Sequence, residues 1–276
     1  MSYFTKYKLK KFINDNINRL NWNFLSENTK AIHLLEQNKN MIEWCFLSCN
    51  FNAIHLLEQN PDKINWECLS ENPNAIHLLL QNFDKINWSS LSRNPNAIHL
   101  LVQNPDRIDW CNLSHNVNAV HILEQNTDRI DWSNLSCNYN AIHLLEQNPD
   151  KIDWVMLSEN PNAIHLLEKN TNRINWVGLS SNQNAIHLLE QHPDKIDWVS
   201  LSENINALHL IEKNLDNIDW DYISLNTNIF EIDYCFYSKR CILFKKELIE
   251  KALQPKRFKY YLYKYNYNIC IDDYNN

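Results

Sequence analysis

The chain has 276 residues, of which 44% are hydrophobic, and its formal net charge is −7 at pH 7. This hydrophobic content excludes an intrinsically disordered chain. No run of about 18 apolar residues is present, which excludes a membrane-spanning helix. The first residues also lack the apolar core of a secretory signal, so we expect a soluble intracellular protein that does not use a membrane.

Residues 1–20 precede the first tryptophan and carry aromatic and aliphatic side chains among lysines. Phe4, Phe12 and Ile13 are examples of these apolar side chains. A repeat stack needs such a segment to cover its open end. We therefore predict an N-terminal capping helix in residues 1–20.

The ten tryptophans of the chain follow one another every 22 residues, from Trp22 to Trp220. A fixed period of this length is typical of solenoid proteins, in which each unit stacks on the last. For residues 21–228 we predict a single elongated stack of about nine to ten repeats.

Within one repeat, Asn65 is a predicted N-cap for a short helix that starts at Trp66, and Asn72 followed by Pro73 predicts a second helix ending near Asn82. Strands are the competing interpretation, because Ile-Asp-Trp alternates and Leu-Ser-x-Asn has an asparagine like that of leucine-rich repeats. The run Ala-Ile-His-Leu-Leu has the spacing of a helix instead. The predicted fold is an all-α solenoid of short helix pairs with 22-residue repeats, capped at both ends.

The repeat pattern decays after Trp220, and residues 229–276 are predicted to form a basic, tyrosine-rich helical cap. Its first helix is expected from Phe244 to Leu253, and Pro255 would open the next. Residues 239–264 contain nine basic residues and only two acidic ones. Lysines that contact phosphate and rings that stack on bases suit single-stranded nucleic acid, although an amphipathic cap explains the same residues. The candidate nucleic-acid ligands are Lys256, Arg257 and Lys259.

Comparison of the repeats with one another separates a fixed scaffold from a variable surface. Tryptophan, leucine, serine, asparagine, alanine, isoleucine and histidine recur, whereas the residues one, two and five places after each tryptophan vary. On a helix these three places share one face, and repeat proteins bind partners through such a face. An exposed surface without a function explains the variation equally well. The candidate binding residues are Phe46, Cys49, Glu67, Arg93, His115, Met156 and Val177.

The histidines that recur in nine repeats are spaced too widely to share a metal ion, because stacked helices lie about 8–10 Å apart and zinc needs nitrogens at about 2 Å. We expect a hydrogen-bonding ladder between repeats, with a contact such as His55 to Glu58 three residues on.

The cysteines follow no regular pairing, so we expect free thiols; Cys45 and Cys49 alone do not complete a zinc site. No catalytic or cofactor motif is present. We predict a protein without metal, cofactor or enzymatic activity.

The repeated run Leu-Ser-Glu-Asn-Pro-Asn-Ala-Ile-His-Leu-Leu-Glu-Gln-Asn-Pro-Asp-Lys-Ile-Asp-Trp resembles a repeat found in many proteins of giant DNA viruses of the mimivirus and phycodnavirus kind. The resemblance covers residues 20–228. Residues 251–257 are also similar to that group's C-terminal element, from which Gln254 departs because a histidine usually precedes the proline. The resemblance implies no established activity and no catalytic residues.

From these features we expect a non-enzymatic scaffold for protein–protein interaction, with a host or viral protein as partner, in the host cytoplasm or in the virion. One alternative is nucleic-acid binding through the basic C-terminal module. Another is a structural component of the virion.

Overall fold

The computed structural model describes residues 6–252 and residue 264. The chain divides into two compact units, one of residues 9–231 and one that includes residues 6–8 and 232–252. None of the helices in the described residues is long and apolar enough to cross a lipid bilayer.

Each full repeat contains a helix that begins at the tryptophan, a helix that carries the histidine, and a 3-10 turn that leads to the next tryptophan. The tryptophan helix starts as predicted, because Asn65 Oδ1 accepts a 3.0 Å hydrogen bond from the backbone N–H of Cys68. The 22-residue series of short helices confirms the predicted all-α repeat fold. The tryptophan helices are Trp22–Glu27, Trp44–Cys49, Trp66–Glu71, Trp88–Arg93, Trp110–His115, Trp132–Cys137, Trp154–Glu159, Trp176–Ser181 and Trp198–Glu203. The histidine helices are Ile32–Gln37, Ile54–Glu58, Ile76–Gln81, Ile98–Gln103, Val120–Glu124, Ile142–Gln147, Ile164–Lys169, Ile186–Gln191 and Leu208–Lys213. The 3-10 turns between repeats are Lys39–Met41, Pro61–Lys63, Phe83–Lys85, Pro105–Arg107, Thr127–Arg129, Pro149–Lys151, Thr171–Arg173, Pro193–Lys195 and Leu215–Asn217.

The start of the histidine helix was predicted wrongly. That helix begins at Ile76, and Asn72 is the C-cap of the preceding tryptophan helix. Asn72 Oδ1 accepts a 3.0 Å hydrogen bond from the N–H of Asn74 in a turn. Its amide nitrogen donates a 3.0 Å hydrogen bond to the carbonyl of Ser48 in the preceding repeat. The asparagine therefore joins two repeats and does not begin a helix.

Buried serines and asparagines connect each repeat to the next. Ser70 Oγ donates to the carbonyl of Trp66 at 2.7 Å and accepts from the N–H of Asn87 at 3.0 Å. Asn94 then donates from its amide nitrogen to the carbonyls of Ser70 and Asn72, both at 2.9 Å. Because these groups are almost fully inaccessible to water, their hydrogen bonds satisfy polar atoms that would otherwise be costly to bury.

The first and last repeats are joined by the same bonds as internal neighbours. Asn28 donates from its amide nitrogen to the carbonyl of Ser224 at 2.8 Å, and the N–H of Asn21 donates to Ser224 Oγ at 2.9 Å. The rings of Phe24 and Tyr222 also meet, with centroids 5.6 Å apart. The unit of residues 9–231 is therefore a closed ring of ten repeats and not the elongated stack that the period alone predicts. Closure requires an average rotation of about 36° per repeat.

The tryptophan helices form the inner layer of this ring. Each of them packs closely against the next tryptophan helix, whereas neighbouring histidine helices make far fewer contacts with one another. Elements on the inside of a ring are crowded, and those on the outside are spread apart. The core lies between the two layers, where Leu69, Ala75 and Leu79 are completely buried.

Outside the repeats the described chain contains two short strands and two further helices. Strands Tyr7–Leu9 and Phe230–Ile232 pair in a two-stranded sheet. Helix Lys11–Asn14 and the 3-10 turn Ile17–Arg19 precede the first tryptophan. The long helix Tyr234–Ala252 starts before the predicted Phe244, and the helix predicted after Pro255 lies outside the described residues. The 3-10 turns Tyr222–Ser224 and Thr227–Ile229 complete the tenth repeat.

Candidate functional site

The variable positions lie on the concave inner side of the ring. At 100° per residue the first, second and fifth places after a tryptophan are separated by at most about 100° on the helix, opposite the tryptophan and the buried leucine. Side chains two repeats apart influence one another there, as Glu27 does with Glu71 and Glu203 does with Glu159. Only a concave surface brings such separated repeats within electrostatic reach.

One arc of this inner face is acidic. Burial raises the pKa of Glu27, and the Glu71 carboxylate raises it further. Burial also raises the pKa of Glu203, with added repulsion from Glu159 and from Glu27 across the point of ring closure. Burial alone raises the pKa of Glu159. The carboxylates of this arc therefore repel one another across the inner face.

The opposite arc carries a cation and neutral groups. Arg93 Nε lies 3.3 Å from Glu71 Oε1, at the border between the two arcs. Burial lowers the pKa of His115, and the Arg93 guanidinium lowers it further, so the imidazole is held neutral. Burial raises the pKa of Cys137 to about 12, which keeps its thiol protonated. The inner face therefore has two sides of different charge.

An apolar row runs along the edge of the inner face in three successive repeats. Val155, Val177 and Val199 each stand one place after a tryptophan and are 53%, 55% and 42% exposed. Met156, beside this row, is half-buried. Adjacent exposed valines leave apolar area in contact with water, which favours a partner that covers them.

Two variable positions are used for packing inside the ring. Phe46 makes an edge-to-face contact with Phe24, with ring centroids 5.8 Å apart. Gly178 is buried, and a Cβ atom there would lie 2.9 Å from Cγ of Glu159. A larger residue at position 178 would therefore press against the Glu159 side chain of the preceding repeat. Glu67, in contrast, is exposed, and Cys49 is half-buried beside Cys68.

The predicted histidine ladder between repeats is confirmed. The expected contact three residues on occurs at His33, which lies 3.7 Å from Glu36, whereas the later histidines that are paired use a glutamate of the preceding repeat. His77 Nε2 lies 2.9 Å from Oε1 of Glu58 in the preceding repeat, and His143 is paired in the same way with Glu124 at 2.8 Å. At the position equivalent to the glutamate, His99 and His121 have Leu80 and Val102. These outer pairs link neighbouring repeats. Within the described residues no group of three histidine, cysteine or acidic side chains is arranged to bind a metal ion.

Cation–π contacts within the repeats, from the 3-10 turn to the tryptophan of the same repeat, were not anticipated from the sequence. The ammonium of Lys85 lies 4.6 Å from the ring centre of Trp66, and the guanidinium of Arg129 lies 4.2 Å from that of Trp110. A basic residue stands three places before most tryptophans. This pattern was the feature of the sequence from which the contacts could have been predicted. The tryptophans are only half-buried, and the basic side chains lie over one face of their rings.

Further residues belong to the inner face although sequence reasoning did not select them. Glu27, Glu203 and Val199 occupy the same variable positions as the candidates, so the positional rule itself was the signal that identifies them. The nucleic-acid candidates Lys256, Arg257 and Lys259 lie outside the described residues.

The chain matches no family model, no curated protein and no solved structure.

Proposed function

We propose that this protein is a non-enzymatic scaffold that binds another protein on the inner face of its ring. The observation that supports this function is the separation of roles within each repeat. Fixed side chains hold the junctions, and side chains that differ between repeats face the centre. A motif repeated around the ring serves structure, whereas an active site would be needed only once.

The size of the ring limits what can enter it. The nine tryptophan helices and the 3-10 turn of the tenth repeat, at the usual spacing of about 8–10 Å, form a circle with a radius of roughly 13–16 Å. After subtraction of the radius of the helices themselves, the opening is roughly 15–20 Å wide. A single helix, about 10–12 Å across with its side chains, fits such an opening. A folded domain does not.

The chemistry of the inner face favours a basic, amphipathic partner segment. The acidic arc of Glu27, Glu71, Glu159 and Glu203 would attract lysine and arginine side chains. The valine row at the edge would cover apolar side chains of the same segment. The resemblance of the repeats to those of giant DNA viruses suggests a host or viral protein in the host cytoplasm, or in the virion, as the source of this segment.

The test is a comparison of two variants in a nuclease-treated capture experiment from infected and uninfected cell lysates. Val155→Asp, Val177→Asp and Val199→Asp together should abolish recovery of the specific partner. The control combines Leu80→Asp with Val102→Asp, since these residues are 51% and 59% exposed on histidine helices. The control should retain the partner.

Recovery of the same partner by both variants, or its loss from both, would exclude the inner edge as the binding face. Recovery that disappears with nuclease would point to the basic C-terminal segment and to nucleic acid instead. A direct measurement would then use the purified partner and determine its Kd at two salt concentrations. Binding through the acidic arc should weaken as salt rises.

A further inference from the structure

Three cysteine thiols converge at the junction between the second and third repeats. Cys45 Sγ lies 3.5 Å from Cys68 Sγ, although the two residues belong to different helices. Cys49, one turn after Cys45, shares a side-chain hydrogen bond with Cys68. Asn65 Nδ2 donates to Cys45 Sγ at 3.3 Å. The sequence places Cys45 and Cys68 23 residues apart, and the packing of two adjacent repeats brings them together.

The same contact recurs at other junctions with different side chains. Asn112 Nδ2 donates to Ser89 Oγ at 2.7 Å, and Asn134 Nδ2 donates to Cys111 Sγ at 2.9 Å. Each pair joins the first place after one tryptophan to the second place after the next. The proximity is therefore determined by the packing of neighbouring helices and does not depend on one cysteine rotamer.

A covalent bond suits these thiols better than a metal ion. The described residues contain no group arranged to bind a metal, and three thiols without a fourth ligand do not complete a structural zinc site. Two thiols in contact across a helix junction need only a small movement to reach the bond length of about 2.05 Å in a disulfide.

We propose that Cys45 and Cys68 form a reversible disulfide when the protein meets a low-molecular-weight disulfide such as oxidised glutathione. The thiolate of Cys45 attacks one sulfur of oxidised glutathione, and one glutathione thiolate leaves. The thiolate of Cys68 then attacks Cys45 Sγ in the mixed disulfide, and the second glutathione thiolate leaves. Two protein thiols are oxidised, one glutathione disulfide is reduced to two glutathione molecules, and two protons pass between thiols and solvent. This modification does not depend on the protein-binding role proposed above.

Burial controls the rate of this reaction. It raises the pKa of Cys68 to about 11, and it raises the pKa of Cys49 further. The second step therefore has little thiolate at neutral pH and should accelerate as the pH rises. Burial therefore slows formation of the bond at neutral pH.

The experiment treats the reduced full-length protein with oxidised glutathione and maps disulfides by mass spectrometry after blocking free thiols. Because Cys45 and Cys49 can occur in one proteolytic peptide, the mapping uses both wild type and Cys49→Ser. Both should contain the bond between residues 45 and 68, and linkage should be faster at pH 9 than at pH 7. The melting temperature should rise by about 5–10 °C, and dithiothreitol should reverse the rise.

Two matched variants separate this bond from nonspecific oxidation. Cys45→Ser should lose the linkage, whereas Cys111→Ser should retain it because Cys111 contacts an asparagine. Ser89→Cys with Asn112→Cys should form a second bond of the same kind if the helix packing determines the contact. Glutathione adducts alone on Cys45, or a bond found only between Cys49 and Cys68, would overturn the proposal.

Discussion

The residues that distinguish one repeat from another place like charges on a shared concave surface. Glu27 and Glu203 belong to the first and ninth repeats, and the Glu27 carboxylate raises the pKa of Glu203 only because the ring closes. Their raised pKa values mean that the folded state binds protons more tightly than the unfolded state does. They stabilise the fold fully only below the ordinary carboxyl pKa, and this stabilisation is lost as the pH rises through their raised values. At neutral pH the repulsion between these carboxylates therefore destabilises the fold.

Neutralising one of these carboxylates should stabilise the protein at neutral pH. Glu203→Gln removes the repulsion with Glu159 and Glu27, and we expect a gain of less than about 1 kcal/mol because the side chain is partly solvated. The gain should shrink as the pH falls from 7.5 to 4, where wild-type Glu203 takes up its proton. Thermal unfolding at several pH values measures it. Glu212→Gln, on the exposed outer surface, is the control and should change little; a gain independent of pH would contradict the explanation.

His115 should oppose the carboxylates in the pH dependence. Its pKa is lowered by burial and by Arg93, so the unfolded state binds the proton more tightly. Stability should therefore fall as the pH drops through the ordinary histidine value near 6.5. In His115→Gln this part of the loss between pH 7.5 and 5.5 should disappear. A pH profile of the melting temperature identical to that of the wild type would show that His115 makes no such contribution.

Within each repeat, the sequence predicts the elements better than it predicts the bonds between them. The period of the tryptophans and the asparagine before each one identify the tryptophan helix correctly. Asn72 was predicted wrongly as an N-cap. An asparagine that caps a helix and an asparagine that bonds to the preceding repeat have the same residues beside them in the sequence. Asn94 makes its decisive bonds to residues 22 and 24 positions earlier, and a local pattern does not identify such partners.

The recurring serine should contribute more to stability than its small size suggests. Ser136 donates to the carbonyl of Trp132 and accepts from the N–H of Asp153 in the next repeat. Ser136→Ala would leave that N–H without its acceptor, and we expect a loss of about 1–3 kcal/mol in the free energy of unfolding. Ser133→Ala is the matched control, since Ser133 is exposed and its hydroxyl bonds only to the Asp153 side chain. Urea titrations in which both variants resemble wild type would show that the junction does not depend on this serine.

Ring closure is a property of the whole repeat unit that no single repeat encodes. The small rotation between neighbours determines whether ten repeats form an open stack or a closed ring. That rotation depends on how close the tryptophan helices pack relative to the histidine helices, which composition and periodicity do not specify. The positions of the candidate binding residues could be predicted from their variability, but their arrangement around one opening could not. Closure also removes the exposed ends that an open solenoid must protect.

The most direct test of the closed ring compares the same substitution at the closure and at an internal junction. Asn28 and Asn72 are 2% and 1% exposed, and each donates to the carbonyl of the serine in the preceding repeat, at 2.8 and 3.0 Å. For Asn28 that preceding repeat is the tenth. If the ring is closed, Asn28→Ala and Asn72→Ala should each lower the free energy of unfolding by about 1–3 kcal/mol in urea titrations followed by tryptophan fluorescence. If the stack were open, Asn28 would face solvent, and a loss below about 0.5 kcal/mol for Asn28→Ala beside a full loss for Asn72→Ala would contradict closure.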